Sequence, residues 1–275
     1  MMKAHQPTLV ALVGVLLFGF VAAMGAQDSV HFVPADRVAV RVMREVPPID
    51  VAPGVHVRTV VGSTGSFSLG DFDAGGTAPL HHHAREQADV ILAGVFDITL
   101  GNHLEEVGPG AGFIVPPNVR HSIANVKGGV MTVIEGHTVP RPDLVPPRPS
   151  MTFPASSEPM AIPGERKLAV QLETAGGAPS DPVATVVGET CALAWRRLER
   201  GASPVTVGPS GRRGELFVYI VRGDVGLAAP GPEQVLRAGT LVVIPAAAAV
   251  TMRATGTTGA ATVEFSPQGG RASVR

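Results

Sequence analysis

Gly75-Gly76-Thr77-Ala78-Pro79-Leu80-His81-His82-His83-Ala84-Arg85-Glu86-Gln87 sets three consecutive histidines well inside a chain of 275 residues. Along an extended strand, side chains alternate between two faces. On that reading His81, His83 and Gln87 share one face, and His82 and Glu86 point the other way. Two imidazoles two positions apart can reach one ion, with the Gln87 amide below them on the same strand. A β-bulge would turn Glu86 inward in place of Gln87. A fourth ligand has to come from elsewhere, and His121 is the candidate. It follows Gly112-Phe113-Ile114-Val115-Pro116-Pro117-Asn118-Val119-Arg120, a strand-like run and a turn, as a neighbouring strand requires. All nine histidines of the chain stand at or before His137. Of the others, His56, His82 and His103 read as ordinary exposed or hydrogen-bonded residues. Arg58, Arg85 and Arg120 read first as solvated surface groups and second as a lining that could meet an anion.

The pattern resembles the cupin superfamily. The first cupin motif is carried by Gly75, His81, His83, Gln87 in the glutamate place, and Gly94. The second is carried by Gly110, Pro116, Asn118 in a glycine place, His121 and Asn125. The resemblance covers residues 55–137 strongly and 183–265 as a degenerate copy. It implies an all-β chain of two tandem jelly-roll barrels. The first would hold one divalent transition metal (Mn, Fe, Co, Ni, Cu or Zn) through His81, His83, Gln87 and His121. Gln87 departs from the usual acidic ligand, yet His-x-His-x-x-Glu-Gln is itself a familiar variant among cupins of sugar acids and small molecules.

The duplication also shows in glycine and proline spacing. Gly94, Gly110 and Pro116 recur as Gly223, Gly239 and Pro245, each 129 positions on, and Glu215 stands at the same offset from Glu86. Internal repetition of this kind marks a duplicated unit. In the second copy Ser210 and Arg212 replace the paired histidines, Leu216 replaces Gln87 and Val250 replaces His121. That barrel is expected to hold no metal and to serve packing, dimerisation or closure of the first barrel's mouth. Trp195 reads as core.

Short apolar runs broken by 33 glycines and 25 prolines favour strands over long helices. Strand-like runs span residues 56–61, 66–69, 89–92, 95–100, 112–115 and 130–134, then 167–171, 183–187, 191–198, 215–221, 240–244 and 261–265. The expected organisation is a first barrel at 30–139, a proline-rich extended linker at 140–165 and a second barrel at 166–268. The first 26 residues read as a cleaved export signal: Lys3, then the uncharged run Leu9 to Ala26 ending in small residues. A periplasmic or secreted protein is therefore expected. Cys191 stands alone, which excludes an internal disulfide and a thiolate metal cluster. With 22 basic and 23 acidic residues there is no charge signature for nucleic acid or an anionic membrane.

Four neutral ligands would leave a divalent ion its full charge, which favours an anionic or easily enolised partner such as a carboxylate or a 1,3-dicarbonyl. Two functions follow. One is a metal-dependent enzyme, which the cupin resemblance implies would be an isomerase or lyase of sugar acids or a dioxygenase of the two-barrel quercetinase-like kind. The other is a non-catalytic secreted cupin that binds a sugar or a metal, alone or as a homodimer.

Overall fold

The computed structural model describes residues 30–146, 169–173, 183–208, 213–229 and 231–267. The expected export signal, most of the proline-rich stretch, Ser210 and Arg212 lie outside them. The strands of the first repeat are β1 (Ala39–Val42), β2 (Ile49–Ala52), β3 (Val55–Val61), β4 (Ser66–Phe72), β5 (Thr77–His81), β6 (Gln87–Ala93), β7 (Phe96–Leu100), β8 (His103–Val107), β9 (Ala111–Val115), β10 (His121–Ala124) and β11 (Met131–His137). The second repeat supplies β12 (Val170–Gln171), β13 (Val183–Val187), β14 (Cys191–Leu198), β15 (Val205–Val207), β16 (Leu216–Arg222), β17 (Asp224–Ala228), β18 (Gln234–Arg237), β19 (Thr240–Ile244), β20 (Val250–Ala254) and β21 (Ala260–Pro267).

They form two barrels, each a large sheet closed by a small one. The first pairs β12-β9-β6-β11-β4-β3-β2 with β5-β10-β7-β8, and the second pairs β1-β19-β16-β21-β14-β13 with β15-β20-β17-β18. The duplication is visible strand by strand, since β6, β9, β10 and β11 each recur 129 residues later as β16, β19, β20 and β21. One consequence lies outside the sequence reading. β1 pairs with β19 (Ala39 opposite Val243), and β12 pairs with β9 (Val170 opposite Gly112). Each repeat thus lends its opening strand to the other repeat's large sheet, so residues 39–42 belong structurally to the second barrel.

Three apolar clusters follow from this arrangement. One fills the first barrel around Phe72, Phe96, Ile98 and Met131, and one fills the second around Val218, Ile220, Ile244 and Met252. The third lies between the two large sheets, where Phe67, Trp195, Phe217, Tyr219 and Phe265 meet. Phe67 stacks on Phe217 and Tyr219 at centroid separations of 6.2 and 5.8 Å. The large sheets are therefore covered on both faces, which is why β4 and β21 are buried along their whole length. A sheet buried on both sides needs unbroken apolar or neutralised runs, not alternation.

The barrels are also tied by a reciprocal pair of glutamates. The Glu215 carboxylate accepts hydrogen bonds from the Thr64 N–H (2.8 Å), the Gly65 N–H (3.1 Å), Ser63 Oγ (2.6 Å) and Thr64 Oγ1 (2.7 Å), all in the β3–β4 turn. The Glu86 carboxylate does the same for the β13–β14 turn, accepting from the Glu189 N–H (2.9 Å), the Thr190 N–H (2.7 Å) and Thr190 Oγ1 (2.9 Å). A Cβ at Gly62 or Gly188 would collide with these carboxylates. Each barrel therefore caps a turn of the other.

Residues 140–146 depart from an extended linker. Pro142–Leu144 form a 3-10 turn with proline in its first turn, and Leu144 is buried against the first barrel's core. The short strap lies against the barrel instead of leading away from it.

Candidate metal centre

The three histidines of the motif come together inside the first barrel. Ligand atoms of His81, His83 and His121 all lie within 4.8 Å of one another. His121, the first residue of β10, sits directly opposite His81, the last residue of β5. Ring centroids are 4.2 Å apart for His81 and His121 and 4.8 Å for His83 and His121.

The expectation that His81, His83 and Gln87 share one strand is corrected. β5 ends at His81, residues 82–86 form a connection, and Gln87 opens β6 in the opposite sheet. The side chains still converge, because the connection crosses the barrel from the small sheet to the large one. Gln87 Oε1 lies 2.9 Å from His83 Nε2. The connection is fastened by the Asn118 N–H, which donates to the His83 carbonyl at 2.7 Å. Asn118 has φ +61°, which explains how it replaces glycine in the second motif: asparagine tolerates this left-handed conformation better than most side chains. Asn125, the motif's last residue, is structural. Its amide donates to the Phe72 and Gly129 carbonyls and its oxygen accepts the Gly128 N–H. Glu86 faces the other barrel, as described above, and does not join the centre.

The proton positions decide what the centre can do. Nδ1 of His81, His83 and His121 lies 2.7, 2.8 and 2.9 Å from the carbonyls of Pro79, Arg85 and Val119. A carbonyl can only accept, so each Nδ1 carries the hydrogen, and each neutral ring leaves its lone pair on Nε2. Burial keeps the rings neutral, lowering His81 to about 4 and His121 to about 3, with His83 also lowered. His121 Nε2 is buried without a hydrogen-bond partner. The Gln87 amide group donates to both oxygens of Asp89 at 2.9 Å, which turns Oε1 toward the lone pair of His83. Two acceptors facing each other at hydrogen-bond distance, beside an orphaned imidazole nitrogen, form an array that a cation completes. Backbone carbonyls and Asp89 thus play the outer-shell part that fixes ligand tautomer and direction in metal sites. The triad is able to hold a metal ion.

The centre opens on a cavity of about 240 Å³. Val51, Val55, Val57, Phe72 and Phe113 make its apolar wall, and Arg85, Asp89, Glu135, His137, Arg141 and Asp143 its polar one. Of the arginines singled out from the sequence, Arg85 lines the cavity. Arg58 is instead paired with Asp71 at 2.8 Å, and Arg120 is not among the lining residues. His82 also lines it, contrary to expectation. His56 sits on the surface between Asp50 and Asp73.

Glu135, His137 and Arg141 were missed. Glu135 lies opposite Asp89, and His137 opposite Gln87, on neighbouring strands. Two carboxyl groups side by side and shielded from water resist ionisation. Burial pushes Glu135 up to about 7, and burial with the charge of Glu135 raises Asp89 well above the usual carboxylate range. The missed signal was alternation, since Met131, Val133, Glu135 and His137 share one face. The apolar run ends at Ile134, and the strand reading stopped there.

A family model described as "Cupin domain" matches residues 68–136. No curated protein matches the sequence. Among solved structures, AerE from Microcystis aeruginosa superposes with TM-score 0.59 at 13% identity, over 81% of this chain and 96% of that one. Two single-residue mutants of Bacillus subtilis oxalate decarboxylase OxdC both superpose with TM-score 0.64, at 12% and 13% identity, over 88% of this chain and 79% of theirs. At that identity the likeness concerns the fold. Residues 68–136 thus match a cupin domain, and the paired barrels share the fold of these solved structures.

Proposed function

We propose that this is an exported metalloenzyme acting on a small anionic or enolisable substrate, with the ion held by His81, His83, Gln87 and His121. The observation that carries the reading is the set of imidazoles locked by backbone carbonyls with their Nε2 lone pairs turned inward. A divalent ion bound there supplies Lewis acidity toward a substrate oxygen, or a meeting point for substrate and O₂. The protein's own residues do the rest. The apolar wall excludes water and orients the substrate. Glu135, titrating near 7 and opening onto the cavity, can hold a proton on its carboxyl oxygen or take one from a carbon beside a carbonyl, as acid–base catalysis near neutral pH requires. Export rests on the amino-terminal sequence, Lys3 and the apolar run that follows.

The test is metal analysis of protein prepared from its native compartment, followed by oxygen uptake with 1,3-dicarbonyls and flavonols and isomer analysis with sugar acids. Uptake assigns a dioxygenase, and rearrangement without uptake an isomerase or lyase. A metal-loaded protein that leaves every compound unchanged supports a binding protein instead. Absence of bound metal from all preparations overturns the proposal.

A further inference from the structure

We propose that Arg141 is the carboxylate-binding residue of the cavity, gripping the charged end of a small acid whose apolar body lies on the Val51, Val55, Val57 and Phe72 wall. The inference rests on the reading that the cavity is a ligand site, and it narrows the substrate to a monocarboxylate with an apolar body.

The sequence Pro140-Arg141-Pro142-Asp143 holds the guanidinium in place before any ligand arrives. The prolines restrict the backbone on both sides. The Arg141 N–H donates to Ser66 Oγ at 2.5 Å, and the Arg141 carbonyl accepts the Leu144 N–H at 3.0 Å. The side chain is 8% exposed, and its Nε lies 2.7 and 2.8 Å from the Asp143 oxygens, with Nη2 on the same carboxylate. Nη1 makes no hydrogen bond among the described residues. A buried guanidinium edge with an unused donor, facing a cavity, is a planar site for an oxyanion already oriented by its own carboxylate.

The surrounding charge agrees. Asp143 offsets one guanidinium, yet Arg85 lines the same cavity and its side chain makes no ion pair among the described residues. The remaining acids, Asp89 and Glu135, lie opposite each other on neighbouring strands, with both Asp89 oxygens taken by the Gln87 amide. His137 Nδ1 is a further buried donor or acceptor without a partner. The Val51, Val55, Val57 and Phe72 wall offers only hydrocarbon, so a polyhydroxylated acid would leave hydroxyl groups without partners there.

Calorimetric titration of the full chain with benzoate and with uncharged benzamide, metal-free and Zn-loaded, tests the assignment. Benzoate is expected to bind in both states and benzamide in neither. R141Q should weaken benzoate by about tenfold to a hundredfold, the range for a charge-assisted hydrogen-bond pair, while its metal content matches wild type. R141K, which keeps the charge and loses the fork, should fall between, and it carries the test if circular dichroism shows R141Q unfolded. Benzoate affinity that disappears on metal removal but survives R141Q would place the carboxylate on the metal and overturn the proposal. So would failure of wild type to bind benzoate in any state. A chain that takes up no metal yet binds benzoate through Arg141 would overturn the metalloenzyme reading and leave this one standing.

Discussion

At matching register the first barrel carries Gln87, Asp89, His121, Glu135 and His137, and the second carries Leu216, Val218, Val250, Glu264 and Ser266. The sheet pairing is the same in both: Asp89 faces Glu135 across neighbouring strands, and Val218 faces Glu264. In the second barrel aliphatic side chains close the interior, with Leu216, Val218 and Val250 all inside its core. The acid that remains, Glu264, is neutralised by the buried guanidinium of Arg196, whose Nη2 lies 3.1 Å from Glu264 Oε2. Arg196 pairs with Thr262, and the matching pair in the first barrel is Gly70 with Val133. With glycine there, Glu135 has no arginine across the sheet and opens instead onto the cavity. One backbone plan thus serves a filled barrel and a furnished one, and a few inward positions decide which.

Writing the second barrel's residues into the first is the strongest test. Q87L/H121V should reduce metal content from about one ion per chain to near zero while circular dichroism stays unchanged, since Leu and Val already occupy these positions in a folded barrel. Retention of metal by this variant would break the comparison at its centre.

R196M should come next. It leaves Glu264 buried and unpaired, at a cost of about 3–5 kcal/mol, read by urea denaturation. R196M/E264L should regain most of that loss, because a well-packed apolar pair avoids the desolvation of two charges. A single variant as stable as wild type would show that Glu264 needs no partner.

The reciprocal caps predict a smaller and symmetric effect. E86Q and E215Q should each destabilise by about 1–3 kcal/mol, because both lose charged acceptors for turn N–H groups of the opposite barrel. E86Q should also leave metal content untouched. Metal loss in E86Q with unchanged stability would return Glu86 to the ligand set.

The smallest effect concerns pH. In the folded barrel Glu135 is raised from its ordinary 4.5 to about 7, so the native state holds a proton that the unfolded chain releases. Its contribution is fully present below pH 4.5 and is lost as pH rises through about 7. In metal-free protein the stability of wild type relative to E135Q should fall as pH rises through this window, because the buried histidines, whose lowered pKa values act in the opposite direction, are common to both. An unchanged slope in E135Q would remove Glu135 as its source.

The side chains that converge at the candidate centre were legible because the motif is local. His81, His83, Gln87 and His121 announce themselves by residue type and spacing, and Asn118 and Asn125 mark the turns that set them. Strand limits were legible wherever apolar residues continued to the end, as in 183–187, 191–198 and 240–244. The reading failed where function interrupts the apolar pattern. β11 runs on through Glu135 and His137, polar residues that a core strand would not carry. It failed again between His83 and Gln87, where a chain crossing looks like a continuous strand. Arg141 lay in a proline-rich segment whose composition suggests a linker, though its prolines hold it against the barrel.

By itself the sequence determined the repeat, the histidines that converge and the lack of a second cysteine for a disulfide or thiolate cluster, all of which depend on residue identity and spacing. Only the tertiary structure decided that Glu86 serves the other barrel, that β1 and β12 change places, and that Asp89, Glu135 and Arg141 surround one cavity. Those facts depend on which strands pair and in what register. Pairing is set by burial across both faces of the large sheets, between residues such as Ala39 and Val243 that no local pattern connects.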